Sequence, residues 1–275
     1  MTIEILGQSQ FVEANGLRHH LLRYGAASDP PVLLLPGITS TAATADFLAR
    51  RIVGAGFSAV VPDIRGRGES DRAPSGAYRL EDYAADVNGI VTALGLDRPI
   101  IIGHSMGARI AAAYVTSYVR NDHALTVLVD PPLSGPDRGP YPTSLAAFMQ
   151  QLNEARRGTT PEEVRRFYPR WPEREIQIRV NVLASCDETA IRETHAGFEN
   201  EDFFPFWRNI TEPALLIYGA KSPVVTTEGA SELAQANPRI TIKSVADAGH
   251  MIPWDNESGF FDLLLPALEA TKPLN

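Results

Sequence analysis

The chain has 275 residues and a formal net charge of −8, and hydrophobic residues make up 44% of it, as in ordinary globular proteins. The negative charge excludes a general attraction to nucleic acid or to an anionic membrane surface. No apolar run approaches the ~20 residues that a transmembrane helix needs. Cys186 is the single cysteine, so no intramolecular disulfide can form. We expect a cytoplasmic protein with a small-molecule substrate and with no nucleic-acid or membrane partner, and the sequence leaves its oligomeric state open.

The first predicted element is a β-hairpin, because Asn15-Gly16 is a strong turn signal between strand-like segments at residues 11–13 and 18–24. Short apolar runs follow, typical of strands buried on both faces of a sheet. They cover residues 32–35, 58–61, 99–102, 125–129, 214–217 and 240–245. Helical patterns lie between most of them, over residues 46–55, 80–94, 105–117, 227–236 and 259–268. The alternation predicts an α/β protein with a mostly parallel sheet and right-handed crossovers.

One connection is too long for an ordinary crossover, since roughly eighty residues separate the fourth apolar run from the fifth. Its own helix signals are patterns over residues 144–157 and 173–184 and a capping box that starts at Thr160. The segment is rich in aromatic residues, most of which we expect to fill its own small core. The sequence therefore predicts a helical cap inserted into an α/β core. The predicted boundaries are residues 133–211 for the cap and residues 1–132 and 212–275 for the core.

A G-x-S-x-G motif, with Ser105 at its centre, lies between the third apolar run and the helix after it. A serine at such a junction sits on a sharp turn, and the flanking glycines let neighbouring backbone pass close to it. The N-terminus of the helix also stabilises negative charge that develops beside the serine. The motif is common by chance, but its place after a strand and before a helix favours Ser105 as a nucleophile over a structural serine.

A serine hydroxyl is a poor nucleophile until a base removes its proton, so a histidine is required beside it. In the chain order Ser, acid, His the base comes late, and His250 lies in a loop after the last strand. Sheets of this kind place their sites at the C-terminal edges of the strands. The remaining histidines are less suitably placed: His19 and His20 in the hairpin, His104 beside the nucleophile, His123 before a strand and His195 in the cap. His250 is therefore the predicted general base.

An acyl-transfer intermediate also needs backbone amides that hold its oxyanion. One should be the amide of Met106, which follows the nucleophile, and the other should come from the loop after the first parallel strand. In that loop, at residues 36–39, the Ile38 amide is the predicted donor. The Pro-Gly pair of the loop is also a plain turn, and the two interpretations are compatible because the turn aims the amide.

These motifs and their order resemble the α/β-hydrolase superfamily over almost the whole chain. Residues 63–70, Asp-Ile-Arg-Gly-Arg-Gly-Glu-Ser, also look like the D-x-R-G-x-G-x-S segment of that family. The family usually carries its catalytic acid after the penultimate strand, but the turn at residues 219–223 reads Gly-Ala-Lys-Ser-Pro, without an acid. The alternative family position, at the end of the strand after the nucleophile helix, holds Asp130. The resemblance therefore implies that Asp130 orients His250.

Asp130 has an alternative interpretation, since an aspartate before two prolines can simply cap a loop. Asp247 and Asp255 are too close to His250 in sequence to serve easily as the acid. Two short sequences narrow the resemblance to the N-formylmaleamate deformylases of bacterial nicotinate degradation. They are Asp-Pro-Pro at residues 130–132 and Pro-Gly-Ile-Thr-Ser at residues 36–40.

The resemblance implies a serine hydrolase that cleaves the C–N bond of a formamide in a small anionic substrate, through an acyl-enzyme and without a cofactor. The sequence contains no H-E-x-x-H, no C-x-x-C and no Gly-rich phosphate loop before a helix, so no metal or cofactor site is predicted. A carboxylesterase, a lactonase or a C–C hydrolase on the same fold is the alternative. A slow-turnover binding protein and a cofactor-free oxygenase or lyase also stay open.

An anionic substrate requires local positive charge near Ser105, because the net charge of the protein is negative. Arginine suits a carboxylate, since its planar guanidinium donates two parallel hydrogen bonds. Of the cap arginines we favour Arg170, which lies among aromatic residues in a stiff, proline-bounded segment. Tyr168, Arg170 and Trp171 are therefore the predicted substrate-binding residues, and an exposed Arg170 between two cap helices is the alternative.

Overall fold

The strands form one mixed sheet in a computed structural model that describes residues 3–119, 122–211 and 213–272. Its strands are β1 (Gln8–Ala14), β2 (Leu17–Tyr24), β3 (Pro31–Leu35), β4 (Ser58–Pro62), β5 (Ile100–His104), β6 (Leu125–Val129), β7 (Ala214–Gly219) and β8 (Thr241–Val245). They lie side by side in the order β1-β2-β4-β3-β5-β6-β7-β8. The crossovers between β3, β4 and β5 place β3 next to β5, so the loops that follow these two strands meet at one edge.

The hairpin forms the antiparallel end of this sheet, and the neighbouring pairs from β4 to β8 are all parallel. Asn15 and Gly16 have φ angles of 49° and 76°, which is the backbone conformation that a two-residue hairpin turn requires. The apolar strands β3 to β7 are almost entirely buried, while β8 at the edge is mostly exposed. The predicted α/β architecture with a mostly parallel sheet is confirmed.

Helices cover both faces of the sheet. They are α1 (Asp46–Gly54), α2 (Leu80–Leu94), α3 (Met106–Tyr114), α4 (Leu145–Arg156), α5 (Pro161–Arg165), α6 (Glu173–Val182), α7 (Glu188–Asn200), α8 (Phe204–Asn209), α9 (Thr227–Ala236), α10 (Ile252–Asp255) and α11 (Glu257–Glu269). Apolar side chains of α1 and α11 fill one core cluster, and those of α2, α3 and α9 fill the other. The helix predicted to start at Ser105 starts one residue later, because Ser105 has a φ angle of 56°.

The long connection between β6 and β7 contains the helices α4 to α8. Thr160 and Glu163 form the predicted capping box, since each side chain accepts a hydrogen bond of 3.2 Å from the backbone amide of the other residue. The sequence patterns did not indicate α7 and α8. Around α8 the side chains of Phe203, Phe204 and Trp207 are buried against one another, as expected for an aromatic core of this segment.

Arg109 on α3 attaches this helical segment to the sheet. Its guanidinium donates to the carbonyls of Pro132 and Ser134 at the start of the segment, and to those of Phe198 and Glu201 at the end of α7. Burial lowers the pKa of Arg109 to about 10, so the side chain stays charged at neutral pH. None of the helices in the described ranges is long and apolar enough to cross a membrane.

Candidate active site

Ser105 occupies the tight turn between β5 and α3, with φ 56° and ψ −117°. Glycines are needed on both sides of it, because other backbone approaches closely there. A Cβ atom on Gly103 would lie 2.1 Å from the carbonyl oxygen of Gly107, and one on Gly107 would lie 2.0 Å from that of Leu35. The turn therefore holds Ser105 in a strained conformation at the C-terminal edge of the sheet, where its hydroxyl faces away from the strand.

Three side chains from distant parts of the chain meet at this edge. The Nε2 atom of His250 lies 3.0 Å from Ser105 Oγ, and its Nδ1 atom lies 2.6 Å from Asp130 Oδ2. Since the carboxylate can only accept, Nδ1 carries the proton and Nε2 is free to accept the proton of the serine. Asp130 is completely buried, and burial raises the pKa of its carboxyl, against the opposite effect of the hydrogen bond from His250.

The acid-free turn after β7 supports Asp130 from its other side. Ser222 donates its hydroxyl proton to Asp130 Oδ2 and accepts a hydrogen bond of 3.0 Å from the amide of Val224. Lys221, beside it, points outward and pairs with Asp247 at 2.7 Å. The turn that usually carries the family's acid therefore contributes a hydroxyl that stabilises the carboxylate of Asp130.

The other two carboxylates near His250 in sequence serve elsewhere. Asp247 is exposed and paired with Lys221, and Asp255 accepts a hydrogen bond of 2.8 Å from the amide of Gly249. This second bond fixes the backbone just before His250. The carboxylate that is hydrogen-bonded to the imidazole is that of Asp130.

His104 is buried directly behind His250. Its Nε2 atom donates a hydrogen bond of 2.9 Å to the carbonyl oxygen of His250, and the centres of the two imidazole rings are 5.0 Å apart. Burial, together with the neighbouring His250, lowers the pKa of His104 to about 3. His104 is therefore neutral at physiological pH and acts as a hydrogen-bond donor that fixes the loop of His250.

The loop after β3 lies against Ser105. A Cβ atom on Gly37 would come within 3.6 Å of the Cβ atom of Ser105, and Ile38, the next residue of this loop, lines the same cavity as the serine. Met106 is the first residue of α3, where a backbone amide has no acceptor within the helix. The two predicted oxyanion residues therefore lie beside Ser105, Ile38 in the loop after β3 and Met106 directly after the serine, and the binding of an oxyanion by their amides stays a prediction.

A cavity of about 260 Å³ opens above Ser105 and His250. This is below the roughly 300–1,000 Å³ of sites for drug-sized ligands, and it suits a small metabolite. Its floor is the loop after β3, and its walls come from the helical segment: Tyr141, Thr143, Ala147, Phe148, Gln151, Phe167, Tyr168 and Arg179. No group of three histidine, cysteine, aspartate or glutamate side chains that could hold a metal occurs among the residues the structure describes.

Tyr141 is a cavity residue that the sequence reasoning missed. Its hydroxyl lies 3.5 Å from the Nε2 atom of His250, and burial raises the pKa of the phenol, which keeps it protonated. The ring packs on Phe148 and Phe198, and the edge of His195 lies against it. His195 itself is buried, with Nε2 2.9 Å from the carbonyl of Thr143, so it supports the wall and does not reach the reacting atoms.

Arg179 on α6 is only 1% exposed, yet it lines the cavity. Its guanidinium donates to the carbonyl oxygen of Thr39 at 2.5 Å, to the hydroxyl of Thr39 at 2.7 Å and to the hydroxyl of Tyr168 at 3.1 Å. Within the described ranges no carboxylate oxygen lies within 4.0 Å of its nitrogens, and its Nε atom has no acceptor. A buried charge without a counter-ion is costly, so the cavity contains a cation that an anionic ligand would neutralise.

Comparison with known proteins identifies the family. A family model for the alpha/beta hydrolase fold matches residues 30–257. The chain belongs to the α/β-hydrolase fold family. It is 38% identical to an N-formylmaleamate deformylase of Pseudomonas putida over 91% of this chain and 92% of that protein. It is also 28% identical to a 2-(acetamidomethylene)succinate hydrolase of Mesorhizobium japonicum, over 82% and 83% of the two chains.

A solved structure gives the same family. A crystal structure of an N-formylmaleamic acid deformylase from Pseudomonas putida S16 superimposes with a TM-score of 0.86, at 34% identity over 95% of this chain and 100% of that one. The crystal structure of an E-2-(acetamidomethylene)succinate hydrolase superimposes with a TM-score of 0.79 at 22% identity, over 96% and 99% of the two chains. At that lower identity the second likeness shows the fold alone.

Two of the three predicted substrate-binding residues of this α/β hydrolase do not line the cavity. Arg170 is exposed and donates to the carbonyl of Asp247, because the turn between α5 and α6 points it toward solvent. Trp171 is buried behind the wall, stacked on Trp254 with ring centres 5.0 Å apart. Tyr168 does line the cavity.

The arginine of the cavity is Arg179, nine residues after Arg170. A signal for it exists in the sequence, since Ile176, Arg179 and Leu183 share one buried face of the helical stretch. A charged residue within an apolar stripe is a candidate for a functional contact, and this criterion selects Arg179 over the arginines of the polar face.

Proposed function

We propose that this enzyme is a serine amidase that removes a formyl group from the nitrogen of a small anionic amide, as an N-formylmaleamate deformylase does. The observation that carries the proposal is the coexistence, in one small cavity, of the Ser105–His250–Asp130 hydrogen-bond chain and of Arg179 without a counter-ion. The first supplies covalent acyl-transfer chemistry, and the second supplies recognition of an anion.

In the first half of the reaction Ser105 attacks the carbonyl carbon of the formyl group while His250 removes the proton of its hydroxyl. The buried carboxylate of Asp130 stabilises the imidazolium that forms. The amides of Ile38 and Met106 hold the oxyanion of the tetrahedral intermediate. When the intermediate collapses, His250 returns the proton to the amide nitrogen, and this nitrogen leaves with the remainder of the substrate.

In the second half the formyl group is bound to Ser105 as an ester. His250, again neutral, removes a proton from a water molecule that attacks the formyl carbon. The same two amides hold the second oxyanion, and its collapse releases formate and restores the hydroxyl of Ser105. The two halves together consume one water molecule, and the products are formate and the deformylated amide.

Recognition of the substrate's carboxylate is assigned to Arg179 in this proposal. The side chain is held in place by Thr39 and Tyr168, so little conformational freedom is lost when it binds an anion. Support comes from the names of the two curated relatives, since a maleamate and a succinate both carry carboxylate groups beside an N-acyl group. The small cavity fits a substrate of that size.

A second candidate is a C–C hydrolase on the same fold. It is supported by 27% identity to a 2-hydroxy-6-oxononadienedioate/2-hydroxy-6-oxononatrienedioate hydrolase of Paraburkholderia phymatum, over 92% of this chain and 91% of that protein. Such a substrate is a small dianion, so it too offers a carboxylate to Arg179. The reaction itself decides between the two, because only the amidase releases formate from an N-formyl compound.

The test is a panel of substrates at neutral pH: N-formylmaleamate, 4-nitrophenyl acetate and a 2-hydroxy-6-oxo-dienedioate. We expect one formate per N-formylmaleamate consumed, and a kcat/KM at least about tenfold higher than for the other two, because only this substrate combines the anion with the formyl group. A higher kcat/KM for cleavage of the dienedioate, without formate release from the formamide, would replace the amidase with the C–C hydrolase.

A further inference from the structure

Arg67 is a buried arginine that none of the steps above uses. It belongs to the segment at residues 63–70 and is 0% exposed, although a charged side chain is rarely buried without a partner. In the described part of the chain no carboxylate oxygen lies within 4.0 Å of its guanidinium nitrogens. Its positive charge is therefore not neutralised by a neighbouring side chain.

The hydrogen bonds of Arg67 lead to both proposed oxyanion residues. Its Nε atom donates to the carbonyl oxygen of Ile38 over 3.0 Å, and one terminal nitrogen lies 3.7 Å from the sulfur of Met106. The first contact fixes the peptide that follows the Ile38 amide, and the second places the cation behind the start of α3. A single side chain thus contacts the two residues whose amides are aimed at the oxyanion.

The remaining donors of Arg67 bind neutral oxygens that hold the guanidinium still. They reach the carbonyl of Arg65 at 2.8 Å, the hydroxyl of Tyr83 at 2.9 Å and the hydroxyl of Thr194 at 2.9 Å. Tyr83 and Thr194 are bonded to each other at 2.6 Å. Because Thr194 lies on α7, the same network connects the loop after β3, called the oxyanion loop below, to the helical segment above the cavity.

We propose that Arg67 is the positioning residue of the oxyanion hole. It holds the backbone of Ile38 in the orientation that aims its amide at the oxyanion, and its uncompensated charge adds a fixed positive potential behind the hole. Both effects act when negative charge develops on the substrate oxygen, so they stabilise the intermediate more than the bound substrate. The inference rests on the proposed acyl-transfer function of Ser105.

The test compares a ligand that mimics the tetrahedral intermediate with one that does not. Phenylboronic acid forms a tetrahedral adduct with an active serine, whereas maleamate, the expected product, binds without one. In Arg67→Met we expect phenylboronic acid to bind about 10- to 100-fold more weakly, with kcat for 4-nitrophenyl acetate reduced in parallel, while the Ki of maleamate and KM change little. Arg67→Lys, which keeps the charge but has fewer donors, should fall between Arg67→Met and the wild type.

Arg109→Met is the matched control. Arg109 is equally buried and also binds backbone carbonyls, but its contacts are in the helical segment and not in the oxyanion loop. This variant should lower Tm as much as Arg67→Met does. The ratio of its affinities for phenylboronic acid and for maleamate should stay within about twofold of the wild-type ratio. The split between the two ligands, and not the loss of stability, therefore reports on the oxyanion hole.

The outcomes separate the inference from the proposed function. Weak binding of phenylboronic acid in Arg67→Met and Arg67→Lys, with an unchanged Ki for maleamate, supports the positioning role. An unchanged affinity ratio in these variants overturns it, and Arg67→Lys decides alone where Arg67→Met does not fold. If Ser105→Ala binds phenylboronic acid as tightly as wild type and keeps its turnover, the proposed function fails first.

Discussion

Replacing Arg179 by Met tests how the cavity recognises its substrate. The substitution removes a buried guanidinium that has no carboxylate partner among the described residues, and it keeps a long apolar side chain in its place. A buried charge without a counter-ion is itself costly, so its removal offsets part of the stability that is lost with its hydrogen bonds, and we expect the variant to fold with a lower Tm. Its effect should therefore appear in the kinetics.

The size of the effect follows from the two kinds of contact that Arg179 makes. A charged hydrogen bond to a substrate carboxylate contributes about 1.5–3 kcal/mol, which corresponds to a loss of about 10- to 150-fold in kcat/KM. The hydrogen bonds from Arg179 to Thr39 are lost as well. A hydrogen bond to a neutral acceptor contributes about 1 kcal/mol, so a less firmly held loop after β3 should lower kcat/KM by about fivefold. An anionic substrate loses both contributions, whereas a neutral ester loses only the second.

The assay measures kcat/KM of wild type and Arg179→Met with N-formylmaleamate, by formate release, and with 4-nitrophenyl acetate, by nitrophenol release. The loss on the anionic substrate, divided by the loss on the neutral one, should be about 10- to 150-fold. Arg170→Met is the matched control and should leave both values unchanged, because Arg170 is exposed and outside the cavity. Equal losses on the two substrates would show that Arg179 only supports the loop, and the reasoning on substrate charge would be refuted.

Two further predictions concern the groups around His250. Asp130→Asn should lower turnover by about 10²- to 10⁴-fold, because an amide favours the wrong tautomer of His250. Asp247→Asn is the control and should leave turnover within about twofold of wild type, since Asp247 is exposed and paired with a lysine. Equal effects of the two substitutions would remove Asp130 from the mechanism. His104 has a pKa of about 3 in the folded protein against 6.5 for an ordinary histidine, so it binds a proton more readily in the unfolded chain. The free energy of unfolding should therefore fall as pH decreases from 6.5 toward 3. His104→Gln keeps a donor for the carbonyl of His250 but does not titrate, so urea titrations should show a shallower decrease in this variant. The same slope in both proteins would contradict the low pKa of His104.

The parts of this molecule that sequence reasoning reached are those that obey local rules. Apolar runs that end at Gly, Pro or Asp define buried strands, and the strand–turn–helix setting of Ser105 follows from them. His250 follows from chain order. Asp130 needed the resemblance to a family, because an Asp-Pro-Pro sequence by itself is equally typical of a loop, and the structure places this residue 2.6 Å from His250.

The parts that it missed depend on how the helical segment packs on the sheet. Arg170 lies in the turn before α6 and Arg179 lies on α6 itself, and the packing of α6 on the sheet places Arg179 at the cavity, which the sequence indicates only through the buried face of that helix. Tyr141 lies in a loop without periodicity, so no pattern indicates that its hydroxyl reaches His250. Contacts such as Arg67 with Ile38 join residues that are far apart in sequence, and no single-sequence pattern encodes them.

The most direct test of the central claim is the rate of formate release from N-formylmaleamate by wild-type protein and by Ser105→Ala. Ser105 is the attacking group in the proposed mechanism, and its hydroxyl lies 3.0 Å from the Nε2 atom of His250, which would take its proton. The account predicts that wild type releases formate with turnover and that Ser105→Ala, folded to the same Tm, is slower by about 10³-fold or more. Formate release by Ser105→Ala at the wild-type rate would contradict it.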